Sequence, residues 1–185
     1  SLTTHTIYSY FAHFSDYLLN LIFLPFIAKT LGVIEFGIVG IMQSYGLVLT
    51  LIFEFGSPLV ATRTVARKSK NKKKINFFLS KTILLKIIIL PFICIISFIL
   101  YHSIPLFKQN YNYLIIVVLG SFFQGISPTW YFHGLQQMKK IAIPKFLVRL
   151  ISFLLIFNFV KTPNHGWIVL LLFSAANVFL CVYFL

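Results

Sequence analysis

Four cationic side chains of this sequence, Lys81, Lys86, Lys145 and Arg149, lie within or at the edge of long apolar runs, and so does one carboxylate, Asp16. An ionised group at bilayer depth is costly, so it normally faces a bundle interior or a water-filled cavity. Spacing joins these residues to others. Ser9, His13, Asp16 and Asn20 follow steps of 4, 3 and 4, which puts them on one face of a helix. Four further sets recur at helical spacing: Gln43, Gly46, Thr50 and Glu54; Gly120, Gln124, Ser127 and Tyr131; Lys145, Arg149 and Ser152; Ser174, Asn177 and Cys181. Every apolar run but the third thus carries a polar or small-residue face. The bland reading of such faces is helix–helix packing, with Ser, Thr, Gly and Asn as glue. For Lys86 and Arg149 it is snorkelling toward an interface. The functional reading is a cationic aqueous cavity, which suits a phosphate or pyrophosphate headgroup through charge-assisted hydrogen bonds. The substrate-cavity candidates are Arg149, Lys86, Lys145, Asp16, Asn20 and Gln124.

Other chemistry lacks its residues. His5, His102 and His165 stand outside or at the edges of the apolar runs, with His133 at the end of the fourth. No His, Cys and carboxylate grouping has metal-ligand spacing. No Ser-His-Asp set, glycine-rich phosphate loop or paired carboxylate occurs, since Asp16 and Glu54 fall toward opposite ends of their helices. Neither an enzyme nor a cofactor or metal is expected. Cys94 and Cys181 are expected to be small buried hydrophobes.

The elements that position these residues follow from composition. Of 185 residues, 59% are apolar and 10% charged, and mean hydropathy is +0.92. A soluble chain of this size has too little polar surface to cover so much apolar area, and the same figures exclude disorder. An all-α integral membrane protein remains, because about 20 apolar residues cross the hydrocarbon as a helix. The runs are twice the length of β-barrel strands and lack strict alternation. Six spans are expected, near residues 8–28, 37–59, 78–100, 113–133, 142–160 and 167–185. Breaks are expected at Lys29–Gly32, at the basic stretch Ala61–Asn76, at an interfacial loop Tyr101–Asn112, at Gly134–Lys140 and at a tight turn Lys161–Gly166. Pro25, Pro91, Pro128 and Pro144 fall inside or at the start of spans, where proline permits kinks. With Ser1 in place of an initiator Met and an apolar end at Leu185, the chain is expected to be a fragment of a longer one.

The 16 Lys and Arg against 3 Asp and Glu give a net charge of +13. Lys29, Lys108 and Lys161 lie on the odd-numbered turns, and nine cations lie on the even ones: Arg63, Arg67, Lys68, Lys70, Lys72, Lys73, Lys74, Lys139 and Lys140. The positive-inside rule places the even turns and the N-terminus in the cytoplasm. The run Arg67–Lys74 is read as this topology signal resting near anionic headgroups. A nucleic-acid partner is not expected, because no soluble module accompanies the run.

Several ordered segments carry a family resemblance. They are Asn20 followed by Leu24-Pro25-Phe26-Ile27-Ala28-Lys29, then Leu31-Gly32 and Glu35-Phe36-Gly37; Phe53-Glu54-Phe55-Gly56 with Ala61-Thr62-Arg63; Gln124 through Met138, with its Pro128-x-Trp130-x-x-x-Gly134-x-x-x-Met138 pattern; and Val160-Lys161. From about residue 10 onward the chain resembles the polysaccharide-repeat flippases, the O-antigen and capsule translocases of the multidrug/oligosaccharidyl-lipid/polysaccharide exporter superfamily. It departs from the family pattern at His133-Gly134-Leu135-Gln136, where an acidic residue is commoner, and at Asn164-His165, where an Asp often follows the turn.

The resemblance implies the first of two six-helix bundles and a site in the bacterial inner membrane. It implies movement of an undecaprenyl-pyrophosphate-linked oligosaccharide through a cavity between the bundles, by alternating access. It further implies ion antiport with Asp16 as carrier, and polysaccharide polymerase machinery as a neighbour. A cation-coupled multidrug exporter half of the same superfamily is the alternative, and it would want an acidic, aromatic cavity.

Overall fold

The computed structural model describes the backbone of residues 2–68 and 72–185 and the side chains of residues 14, 17–67 and 75–185. Asp16 falls outside the described side chains, as do Ser9 and His13 of its stripe and most of the basic run. The described residues are helical and contain no strand: α1 Leu2–Glu54, α2 Ser57–Lys68, α3 Lys72–Ser103, α4 Pro105–Gln109, α5 Tyr111–Ile126, α6 Thr129–Gly134, α7 Met138–Phe159, a 3-10 turn Pro163–His165 and α8 Gly166–Phe184. Five stretches are long and apolar enough to cross a membrane: Tyr17–Glu54, Ile75–Ser103, Tyr111–Gly134, Met138–Phe159 and Pro163–Phe184. The chain is an all-α, multi-pass membrane protein.

Where six spans are expected, the first two are joined in α1, which is interrupted by Gly32 at φ 75° and ψ 169°. That backbone conformation is essentially open to glycine alone. A continuous helix would hold Asn20 and Leu47 about 40 Å apart, yet both line one cavity. The chain therefore folds back at Gly32 into two arms, residues 2–31 and 33–54. The second arm stops at Glu54, short of the expected residue 59, because Phe55 (φ 41°) and Gly56 (φ 67°) take left-handed conformations.

Side-chain pairs give the direction of each helix. Along the first arm and α7, Asn20 meets Arg149, Phe23 meets Phe153 and Phe26 meets Phe157, so the two run parallel. The second arm, α5 and α8 run together the other way. Glu35 accepts from Tyr113, Gly46 from Ser121, and Phe53 packs on Gly125, while Ile116 and Gln124 meet Ser174 and Asn177. Apolar packing fills the middle, with Ile27, Leu31, Met42, Leu114, Val117, Ile156 and Val169 in one buried cluster. Outward residues such as Leu21, Leu51, Ile88, Phe98, Leu154 and Phe179 are exposed and apolar, the pattern expected where lipid is the solvent.

Two expected loops are largely helical instead, and one expected span is divided. The basic stretch from Ala61 forms α2, because Ala61 and Val65, four apart, bury against Trp130 and Ile75. The expected loop Tyr101–Asn112 holds the end of α3 and all of α4, which Pro105 opens at a position where proline needs no partner for a missing N–H. The expected fourth span divides at Ser127-Pro128 into α5 and α6.

The third helix is not polar-free on its inner face. Lys86 and Ser97 are both buried there with Ile93, and Ser97 bonds Tyr45 at 2.8 Å. Of the two cysteines, Cys181 is buried as expected, but Cys94 is exposed on the outer face of α3.

Candidate substrate cavity

The polar faces of five of the six expected spans converge. A cavity of about 480 Å³ is lined by Asn20 from the first arm, Gln43 and Gly46 from the second, Gly120, Ser121 and Gln124 from α5, Lys145, Arg149 and Ser152 from α7, and Ser174 and Asn177 from α8. Its size falls in the range of small-molecule sites. Helix α3, the run without a polar stripe at helical spacing, contributes none of the described lining. Four of the six candidate residues, Asn20, Gln124, Lys145 and Arg149, stand together here.

The other two do not join them. Asp16 lies outside the described side chains. Lys86 is 1% exposed and donates to the carbonyl oxygen of Gly125, a buried residue of α5 packed against Phe53. This corrects the expectation that Lys86 faces the cavity. The α5 helix ends at Ile126, so its last carbonyls lack helical donors and attract a cation. Gly46 and Gln43 complete the lining from the second arm, whereas Thr50 of the same stripe turns back to the Gly46 carbonyl at 2.9 Å.

The lining is ordered in depth. Phe23, Phe153 and Phe173 form an aromatic layer with ring centroids 4.2 to 6.2 Å apart. One turn beyond it, on the side away from Gly32, come Asn20, Arg149 and Asn177. Asn20 and Arg149 precede their layer phenylalanines by three and four residues and Asn177 follows Phe173 by four, as the opposite directions of their helices require. Arg149 donates to Asn20 Oδ1 at 3.5 Å, and Asn177 Nδ2 donates to Gln124 Oε1 at 3.1 Å. Lys145 stands one further turn along α7. The arrangement therefore presents a guanidinium level with three amides, an ammonium one turn further out, and phenyl rings below. Among the described residues, no Asp or Glu lines it.

The Gly32 end is closed by a separate polar contact. Tyr113 at the start of α5 donates to Glu35 of the second arm. Gly166, the first residue of α8, lies so near the Glu35 carboxylate that a Cβ there would collide with it. The carboxylate thus sits against a helix N-terminus, where negative charge is favoured. Glu35 was named in the sequence only as part of a family motif. Its pairing with Tyr113 crosses 78 residues and leaves no periodic signal.

Comparison with known proteins fits this architecture. The model of a family described as "Polysaccharide biosynthesis protein" matches residues 2–185. The chain belongs to that family. Among curated proteins, it is 32% identical over 183 residues to the "Putative O-antigen transporter" of Escherichia coli (strain K12), covering 96% of this chain and 43% of that protein. It is 29% identical over 157 residues to the protein of the same name from Shigella dysenteriae, covering 84% of this chain and 39% of that one. The chain thus spans about two fifths of the length of these relatives. No solved structure matches it.

Proposed function

We propose that this chain forms one helical bundle of a transporter that moves undecaprenyl-pyrophosphate-linked polysaccharide repeat units across the bacterial inner membrane. The observation that carries the reading is the placement of Lys145 and Arg149 on one wall of the polar cavity. A pyrophosphate offers only acceptor oxygens and negative charge, which a guanidinium and an ammonium answer directly. The amides and hydroxyls around them keep the path wet and polar, as passage of an oligosaccharide requires. No covalent step is involved, so the protein is not an enzyme.

In this reading the six helical arms near the expected spans each cross the membrane, and a second bundle supplies the facing wall of the path. The ends bearing Arg63, Arg67, Lys139 and Lys140 face the cytoplasm together with the N-terminus, following the positive-inside rule. Polysaccharide polymerase machinery receives the moved unit. The two cations in the lining, Lys145 and Arg149, count against the multidrug-exporter alternative, which wants anionic groups for cationic drugs.

Binding to the chain in lipid nanodiscs tests the reading. Undecaprenyl pyrophosphate should bind, undecaprenol should bind far more weakly, and Arg149→Ala with Lys145→Ala should weaken the first by tenfold or more, about 1.4 kcal/mol. Equal binding of the two lipids, or preferential binding of a lipophilic cation, would overturn it.

A further inference from the structure

We infer that the amide pair Gln124–Asn177 is a carbohydrate subsite that reads the first sugar attached to the pyrophosphate. The inference rests on the lipid-linked substrate proposed above and names a second, chemically different wall of the same cavity.

The two walls are built from different helices. Arg149 and Asn20 come from α7 and the first arm of α1, and Gln124 and Asn177 from α5 and α8. Both pairs lie one turn from the Phe23–Phe153–Phe173 layer, so they face the cavity at the same depth. A group bound to the guanidinium therefore has its next neighbour in reach of the amides.

Their chemistry differs as their position does not. The single bond from Asn177 Nδ2 to Gln124 Oε1 uses one donor and one acceptor site. An amide carries two donors and a carbonyl with two lone pairs, so the pair retains the Gln124 amide hydrogens and the Asn177 carbonyl. A phosphate can use only donors. A sugar hydroxyl or acetamido group both donates and accepts, and this pair offers both. Phe173 also lines the cavity and is only partly buried, so it supplies apolar surface against which the C–H face of a pyranose can rest. The competing role for the amides is glue between α5 and α8, which the bond from Ser174 to the Ile116 carbonyl already provides at 2.9 Å.

The test compares ligands that differ only in the sugar. Affinities are measured in nanodiscs for undecaprenyl pyrophosphate and for the same lipid carrying one hexose or one N-acetylhexosamine. The parent chain should bind at least one sugar-bearing probe roughly tenfold more tightly than the bare lipid, as two added hydrogen bonds allow. Gln124→Met with Asn177→Leu should reduce that ratio to about one and leave the bare lipid within about twofold. This exchange replaces both partners by apolar groups of similar shape, which is close to neutral for folding. Should it fail to accumulate, Gln124→Asn, which withdraws the amide by one methylene, should lower the same ratio. Tyr45→Phe breaks the bond to Ser97 of α3, away from the cavity lining, and should leave the ratio unchanged. A parent that binds bare and sugar-bearing lipids equally, a ratio that survives loss of both amides, or a ratio that Tyr45→Phe also abolishes would overturn the subsite while the proposed function stood. A parent that binds none of the three lipids would overturn both.

Discussion

The Lys86 ammonium, carried to the middle of the bundle by α3, donates to the carbonyl of Gly125 in the last turn of α5. It binds the third helix to the point where the fourth expected span breaks. Lys86→Met keeps the length and apolar stem of the side chain and leaves that carbonyl dry. We expect a loss of about 1–3 kcal/mol, read as a lower thermal unfolding midpoint in detergent. An unchanged midpoint would show that burial of the cation costs as much as the bond returns.

Gly32 turns the two arms of α1 against each other at φ 75° and ψ 169°. No atom crowds a Cβ there, so the cost of Gly32→Ala is backbone strain alone, about 1–3 kcal/mol. The variant should unfold earlier, and glycine's neighbours should tolerate alanine freely: Gly37 and Gly40, which have helical backbones and equal space, should gain stability from the same exchange. Equal effects at all three positions would contradict the reversal.

Gly120 presses its backbone on Ser174 of α8, and an added Cβ would meet the Ser174 Cα at 3.1 Å as well as its side chain. Backbone cannot rotate away as a side-chain tip can. Gly120→Ala should force α5 and α8 apart at a cost of about 1–3 kcal/mol. Because Gln124 and Asn177 lie one turn on, the same variant should also weaken lipid-linked sugar binding. The paired measurement is unfolding and affinity on one preparation.

Thiol reactivity separates cavity from lipid face. With Cys94 and Cys181 replaced by Ala, cysteine at Gln43 or Ser174 should react with a charged, membrane-impermeant reagent. Cysteine at Ile151, Leu154 or Phe179, which are exposed but apolar in their surroundings, should resist it. Protection of Gln43→Cys by undecaprenyl pyrophosphate would tie the cavity to the ligand. Uniform reactivity would mean that the cavity is not distinct from the lipid-facing surface.

Much of this cavity was legible in the sequence because helices report polar residues periodically. The steps of 4 and 3 through Lys145, Arg149 and Ser152, and through Gln124 and its stripe, name lining residues directly. Lys86 was misread for the same reason. Burial and bonding of a lone cation depend on which carbonyl lies opposite, and Gly125 is 39 residues away. Spacing likewise hid the inner face of α3, since Lys86 and Ser97 are 11 residues apart with apolar residues between. The helix α2 was concealed by its charge. Two small apolar residues, Ala61 and Val65, suffice to seat it, too few to stand out in a basic stretch. Fold class was plain, because hydropathy integrates over whole spans, whereas the Glu35–Tyr113 contact is a single meeting of distant residues.

The pairing of helices also sets a timetable. Asn20 enters the membrane 129 residues before Arg149, and Gln124 precedes Asn177 by 53. During synthesis the early polar residues must cross the insertion machinery without their final neighbours. The cavity is consequently the last part of this bundle to form, completed only when α8 docks. A ribosome stalled before Ser174 would leave a hairpin and helices in the membrane with no cavity among them, and any quality control that senses unpaired amides in lipid would have that interval in which to act.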